Sequence, residues 1–368
     1  MIDTAGPKAP AAARLLPRPD RPALVRGTII VVLLLLALFA LPPLMNGYYT
    51  VTMTQVAIYS IVTLGLGLLV GRVGLYSLGQ IAVLIIGAWT AARLLFGTGQ
   101  PFIVVMIEAG LVTMIIGSLI TLPALRLRGL YLALITLMLA GAVTVIEATL
   151  NFPNGGGGFS GYNGSLVHIP QIRRPSFAGT DPAYYRFSVI VAIVMFLLVY
   201  AHLRARPGRA WASIRQSEAA SLAAGISTTF YKLWAMALAS FVTGVAGALL
   251  AGGDRYLYSI DFPIQNSITL LAVVLMGGVF SLAGAVIAAF LQSFLPATLY
   301  QLWSVPYDWL LILFGLGVMQ VLATAPGGIA DQFPKDMKRL YRLIRRLVSR
   351  PAPASSSGTA PAKGGEAA

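Results

Sequence analysis

Residues 51–70 read VTMTQVAIYSIVTLGLGLLV, twenty positions without a charged side chain. At a rise of about 1.5 Å per residue, a helix of this length crosses a hydrocarbon core of about 30 Å. The run has company on both sides. Comparable runs at 28–45, 77–96, 101–124, 130–150, 187–203, 230–251, 267–282, 284–302 and 308–325 bring the candidate spans to ten. Only Ala283 separates the eighth from the ninth, so that pair reads either as two crossings or as one broken, re-entrant element. None of the runs alternates with the period of two that an outer-membrane barrel needs. The expected fold class is an all-α polytopic membrane protein of about ten transmembrane helices, eight at the fewest.

Composition agrees. Of 368 residues, 57% are hydrophobic and 10% charged, against about 25% charged in a soluble domain; the mean hydropathy is +0.81. The net charge of +14 therefore has to sit on a few loops, and it speaks for no nucleic-acid partner. The absence of cysteine excludes a disulfide framework, a thiolate metal site and a cysteine nucleophile. Two histidines leave little room for a His-rich metal site, and no metal ligand is expected. There is no H-E-x-x-H and no G-x-S-x-G, so no catalytic residue is expected. The glycines at 155–158 lack the Gly-Lys-Ser/Thr ending of a phosphate loop, which leaves the chain without a nucleotide site of its own.

The basic residues orient the spans. With the N-terminus inside, all of the 26 lysines and arginines except Arg93, Arg173, Arg174, Arg186 and Arg255 fall on inner segments or the C-terminal tail. Retention of Lys and Arg in the cytoplasm produces such an asymmetry. An even number of spans with both termini cytoplasmic fits it. Residues 1–27 form a Pro- and Arg-rich basic tail without helical pattern, expected to be disordered. The first span could be a cleaved leader, but Pro42-Pro43 and nine further spans favour a retained helix. The membrane domain is expected over 28–325, with an outer loop at 151–186 and an inner loop at 204–229. Within 326–368, Leu340, Leu343, Ile344 and Leu347 recur at helical spacing among arginines. That reads as an amphipathic helix on anionic lipid or as a solvated basic tail, before a Pro/Ala/Ser/Gly end.

The inner loop carries the functional signal. It reads RARPGRAWASIRQSEAASLAAGISTTFYK through Lys232. Pro207 and Gly208 break the preceding span; good helix formers run from Arg209 to Ala224, with Trp211, Ile214 and Leu222 as apolar positions; Gly225 stops the helix. Arg215 and Glu218, three apart, are expected on one face. Small residues, among them Ala220 and Ala223, would let another protein approach the backbone closely. On residue type alone, docking and a plain interfacial connector both remain open.

This loop, with Glu218, Ala220, Ala223, Gly225, Ile226, Tyr231 and Lys232 in place, resembles the E-x-A-x-x-A-x-G-I loop and Tyr-Lys sequence of permease subunits of branched-chain amino-acid ABC importers, the Liv type. Three further segments resemble that family: GRVGLYSLG at 71–79, LRLRGLYLALITL at 125–137 and MGGVFSLAGA at 276–285. Together they cover about residues 50–325. The resemblance implies a subunit that forms part of a translocation pathway and binds no cofactor itself. It implies partners: a second homologous permease, two ABC ATPase subunits that carry ATP and Mg, a periplasmic solute-binding protein, and the lipid of a bacterial inner membrane. It also implies that Arg215, Glu218, Ala220, Ala223 and Gly225 form an ATPase-coupling loop. The departures are Gln80 where the family often has His, Gly141 where an acidic residue is common, and a looser Gly run at 154–158. They bear on the solute, so urea and short amides stand beside branched-chain amino acids.

Polar groups inside the spans supply translocation-path candidates. Arg93, Glu108 and Glu147 all fall toward the outer third of the membrane, where they could meet a zwitterion or pair with one another. Gln80 and Thr136 could hydrogen-bond a passing solute or neighbouring helices; Gly244, Gly247 and Gly284 read as close packing positions. An ion-coupled secondary transporter is the second class considered. It has only a faint repeat, YSLG at 76–79 and FSLA at 280–283, and it lacks a mid-membrane carboxylate.

Overall fold

The computed structural model describes residues 45–124, 129–150, 172–254, 257, 262–304, 306–324 and 327–332, with Leu38 and Pro43. The first expected span, the N-terminal tail, residues 151–171 with their glycine run, Arg126 and Arg128, and the tail beyond 332 lie outside the described residues. Among the described residues every regular element is helical. They are α1 (Gly47–Gly67), continued by a π-helical turn (Leu68–Val73), α2 (Gln80–Gly97), α3 (Phe102–Ala124), α4 (Leu130–Thr149), α5 (Asp181–Arg204), α6 (Arg206–Gln216), α7 (Glu218–Ala223) and α8 (Thr228–Asp254). There follow α9 (Gln265–Gly277), α10 (Leu282–Ala289), a second π-helical turn (Phe290–Phe294), α11 (Leu295–Trp303) and α12 (Tyr307–Thr324).

Seven helical stretches among the described residues are long and apolar enough to cross a membrane, and two apolar helices are shorter. The eighth run departs from expectation. In place of a helix over 267–282 it forms α9, 13 residues long, or about 20 Å. Gly278 ends it at φ +113°, a conformation that side chains with a Cβ rarely adopt. Ser281 then opens the next helix, its Oγ accepting from the Gly284 amide at 3.0 Å. The eighth and ninth runs are thus separated by a sharp turn, and the eighth alone is too short for a full crossing.

Two helices form the centre. The apolar windows of α1 and α8 are each 83% buried, against 33% for α3 and α5 and 28% for α4. α8 packs most extensively on α3 and α2, and α1 on α5, α8 and α10. Small residues make the α8–α2 approach possible: a Cβ on Gly247 would overlap the Leu84 carbonyl and the Ala88 amide, and one on Gly87 would overlap Gly244. Hydroxyls join the helices. Thr113 donates to the Ser240 carbonyl at 3.0 Å, Thr63 to Ala285 at 2.8 Å and Tyr184 to Leu249 at 2.6 Å. The outer rows, such as Ile103, Ile107, Leu111 and Ile115 of α3, stay exposed and apolar, as a lipid- or helix-facing surface requires.

The helices run back and forth between two ends. At one, Arg72, Arg204, Arg206, Arg209 and Arg215 gather around the turns after α1, α5 and α9; this is the basic end. At the opposite end Arg174 holds the chain together. Its Nε and Nη2 donate to the carbonyls of Gly252 and Gly253 at 2.8 and 2.7 Å, and Nη1 pairs with Asp181 at 2.6 Å. The last carbonyls of α8 and the start of α5 are satisfied by one guanidinium.

Candidate functional site

The loop at the basic end is built from its residues as follows. α5 stops at Arg204, Ala205 is extended, and Pro207 falls in the first turn of α6, where its missing N–H costs nothing. Ala210, Trp211 and Ile214 face inward and are buried. The Trp211 indole donates to the Tyr231 carbonyl at 2.8 Å, which anchors α6 to the beginning of α8.

One helix was expected from Arg209 to Ala224; there are two. Ser217 is extended at φ −158° and caps α7, its Oγ accepting from the Ala220 amide at 3.2 Å. The hydroxyls of Ser213 and Ser221 lie 2.8 Å apart and staple the two helices. α7 ends as expected at Gly225, φ +77°. The Ile226 amide donates to Ser221 at 2.9 Å and the Gly225 amide to Leu222 at 3.0 Å, the paired bonds of a left-handed C-terminal cap.

The break at Ser217 separates Arg215 from Glu218, contrary to the shared face expected of them. Glu218 instead meets Lys232 of α8 at 2.6 Å, with the lysine side chain 10% exposed and the carboxylate 27%. Arg215 turns to the opposite side. Its guanidinium lies over the Phe280 ring at 4.4 Å, and Nη1 donates to the Val70 carbonyl at 3.4 Å. Arg72 donates to the Phe280 carbonyl at 2.7 Å, and Gly71 sits too close to Val279 for a Cβ. The π-helical turn after α1, the turn before α10 and the loop helix α6 therefore meet at Phe280. Ala219, Ala220, Leu222, Ala223, Ala224 and Gly225 remain exposed together, a surface of small residues around one leucine.

The candidates within the spans separate into two groups. Gln80, the first residue of α2, is 3% exposed, and its side-chain amide has no hydrogen-bond partner among the described residues. Thr136 of α4 lies near it. The Thr136 hydroxyl accepts from the Leu78 amide and donates to the Ala133 carbonyl, both at 2.9 Å, so it closes the start of α2 against α4. Arg93, Glu108 and Glu147 stand on α2, α3 and α4 in the halves farther from the basic end. Arg93 lies over the Trp89 ring at 4.7 Å, Glu108 is half-buried and Glu147 is buried. Lys232, Phe280 and Arg72 were absent from the sequence candidates. Lys232 stood in the Tyr-Lys sequence, and Phe280 in the segments MGGVFSLAGA and FSLA, but the partner of neither could be read before the fold.

The described residues form a set of apolar helices of membrane-crossing length that carry a two-helix loop at their basic end. The chain belongs to the family described as branched-chain amino acid transport system / permease component, which it matches over residues 48–322. It is 31% identical to the high-affinity branched-chain amino acid transport system permease protein LivM of Escherichia coli (strain K12) over 301 residues, 73% of this chain and 69% of that one. It is also 31% identical to the protein of the same description from Salmonella typhimurium over 265 residues, 65% of this chain and 60% of the relative. No solved structure matches it.

Proposed function

We propose that this chain is one permease subunit of an ATP-driven importer in a bacterial inner membrane, carrying branched-chain amino acids or a related small solute. In this reading the chain crosses an even number of times, eight to ten, with α9 and its turn as a broken element and the basic end, with both termini, in the cytoplasm. A second, homologous permease completes the pathway. Two ATPase subunits hold ATP and Mg and dock on the loop helices, and a periplasmic protein delivers the solute to the opposite end. Urea or a short amide is the second solute class, favoured by the amide of Gln80 in place of an ionisable group.

The observation that carries the reading is the loop itself. Its exposed face is small enough for close docking, and on its other side Arg215 touches the turns after α1 and before α10. A push on α6 passes through the Phe280 stack to the turns after α1 and before α10. ATP bound by a partner is then the ligand with different affinity for the two states of the pathway.

Gly225→Val and Arg215→Ala test it. The first strains the cap of α7 and the second unties α6 from Phe280. Both are expected to leave the subunit inserted, and Arg215→Ala to leave hydrolysis by the ATPases, while solute import into proteoliposomes falls to background. Normal import by both variants overturns the reading of the loop.

The pathway candidates divide by a second test. A buried amide without a partner destabilises by about 1–3 kcal/mol. Gln80→Leu is therefore expected to fold as well as the unaltered chain or better, yet to import more slowly. Glu108→Gln is expected to lower import with the folded yield unchanged. A loss of folded yield in either variant, measured by detergent gel filtration, assigns that residue to structure instead.

A further inference from the structure

A cleft opens at the basic end, where α1, α5 and the turn between α9 and α10 come together. Leu64 and Leu68 of α1, Val199 and Leu203 of α5 and Leu282 of α10 form its walls, and Arg72 is the charged residue of its lining. Its enclosed part is narrow, about 20 Å³, so a flexible chain fits along it and a bulky solute does not. From Arg72 back to Thr63 the floor follows α1 for about 13 Å, most of the ~15 Å depth of one leaflet.

Two guanidiniums converge on the turn at the head of this cleft. Arg72 donates through Nη2 to the Phe280 carbonyl at 2.7 Å, and Arg215 lies over the Phe280 ring at 4.4 Å. Both arginines are exposed, and neither has a carboxylate partner among the described residues. Arg72 keeps Nε and Nη1 without a hydrogen-bond partner there. Two positive charges on one phenylalanine repel each other, and an anion beside them removes that repulsion. A guanidinium with donors to spare takes a phosphate through charge-assisted hydrogen bonds. The cleft then continues from Arg72 into the span, between helices of membrane-crossing length. A protein docking from the aqueous side cannot follow it there; an acyl chain can.

We propose that this cleft holds one anionic glycerophospholipid, its phosphate on Arg72 and one acyl chain along Leu64, Leu68, Val199 and Leu203. The lipid tightens the joint at Phe280 from the membrane side, as α6 does from the aqueous side. The site goes beyond the transport reading and is indifferent to the solute. It rests on that reading only for the basic end at the inner leaflet, where basic pockets between helices meet anionic headgroups.

The test uses the intact complex, purified with its partner subunits and stripped of lipid by detergent exchange. Phosphatidylglycerol added in mixed micelles is expected to raise its melting temperature. Phosphatidylcholine, which has the chains without the net charge, is not, and neither is glycerol 3-phosphate, which has the phosphate without the chains. Arg72→Gln should raise the phosphatidylglycerol concentration for half the effect about tenfold, as loss of one charge-assisted hydrogen bond does. Leu203→Trp, which crowds the cleft without touching a basic residue, should weaken the response as well. Arg209→Gln removes one charge from the same end, outside the cleft, and should leave the response unchanged. An equal rise with phosphatidylcholine, or with glycerol 3-phosphate alone, overturns the proposal. So does an equal loss in Arg209→Gln, which would show attraction by the basic end as a whole. If Arg72→Gln sheds the ATPase subunits while the response to phosphatidylglycerol persists, the guanidinium serves a partner chain and the proposal falls. Where Arg72→Gln fails to fold, Leu203→Trp and the lipid preference of the unaltered complex decide. None of these readouts needs import, so failure here leaves the transport reading standing.

Discussion

Glu218→Lys is expected to abolish ATP-driven import while the subunit still inserts and reaches the membrane. Glu218 and Lys232 form an ion pair at 2.6 Å, and the lysine side chain is nine-tenths buried. Removing one partner of such a pair costs about 3–5 kcal/mol, since the other charge stays where water cannot solvate it. Reversing the charge adds repulsion between two ammonium groups. α7 has six residues, and without that tie only the Ser217 cap, the Ser213–Ser221 contact and the turn at Gly225 hold it. The cost falls on the loop and on the start of α8 where Lys232 sits, because the rest of α8 packs against α1, α2 and α3 independently of α7. The reciprocal variant, Lys232→Glu, is expected to fail in the same way. Combining Glu218→Lys with Lys232→Glu should restore a pair of opposite charges and a measurable part of the import. A double variant as inactive as either single one would show that Glu218 acts on a partner directly.

The second large effect lies in the centre. Gly247→Leu is expected to abolish the folded yield of the subunit. Even a Cβ at this position overlaps the backbone of α2 at Leu84 and Ala88. Overpacking a core costs about 1–3 kcal/mol when neighbouring side chains can yield; here the obstacle is main chain, so α8 and α2 have to part. Parting them also removes the contact of Gly87 with Gly244 along the same seam. Gly97→Ala is the matched control, since nothing lies within reach of a Cβ there. Gel filtration in detergent should show a sharp peak for the control and aggregate for Gly247→Leu. Equal profiles would refute the packing account.

The spans were legible because a lipid-facing helix has to be apolar over its whole length, and the runs at 51–70, 101–124 and 230–251 end within a few residues of α1, α3 and α8. The short α9 was harder to read. Its run continues through Gly277 and Gly278 in hydropathy, but the backbone turns there, and hydropathy does not register a positive φ. In the loop, the expected face of Arg215 and Glu218 failed at Ser217. The signal was present, since a serine followed directly by a glutamate is a good cap and first-turn acid. It was outweighed by the alanines on either side. The partners of these two residues were not legible at all. Lys232 lies 14 positions beyond Glu218 and Phe280 lies beyond the whole of α8, and only the packing of α6 against the turn after α1 brings them together. Gln80 was singled out by its place after S-L-G, but its want of a hydrogen-bond partner is a property of the folded chain.

The central claim is that this subunit works as part of an ATP-driven complex. It is tested most directly by isolating the tagged chain from its native membrane in a gentle detergent and identifying every subunit that accompanies it. The account predicts a second, homologous permease and two ATPase chains, with the ATPases lost on Gly225→Val. Recovery of the chain alone, under conditions that keep a known importer intact, would contradict it.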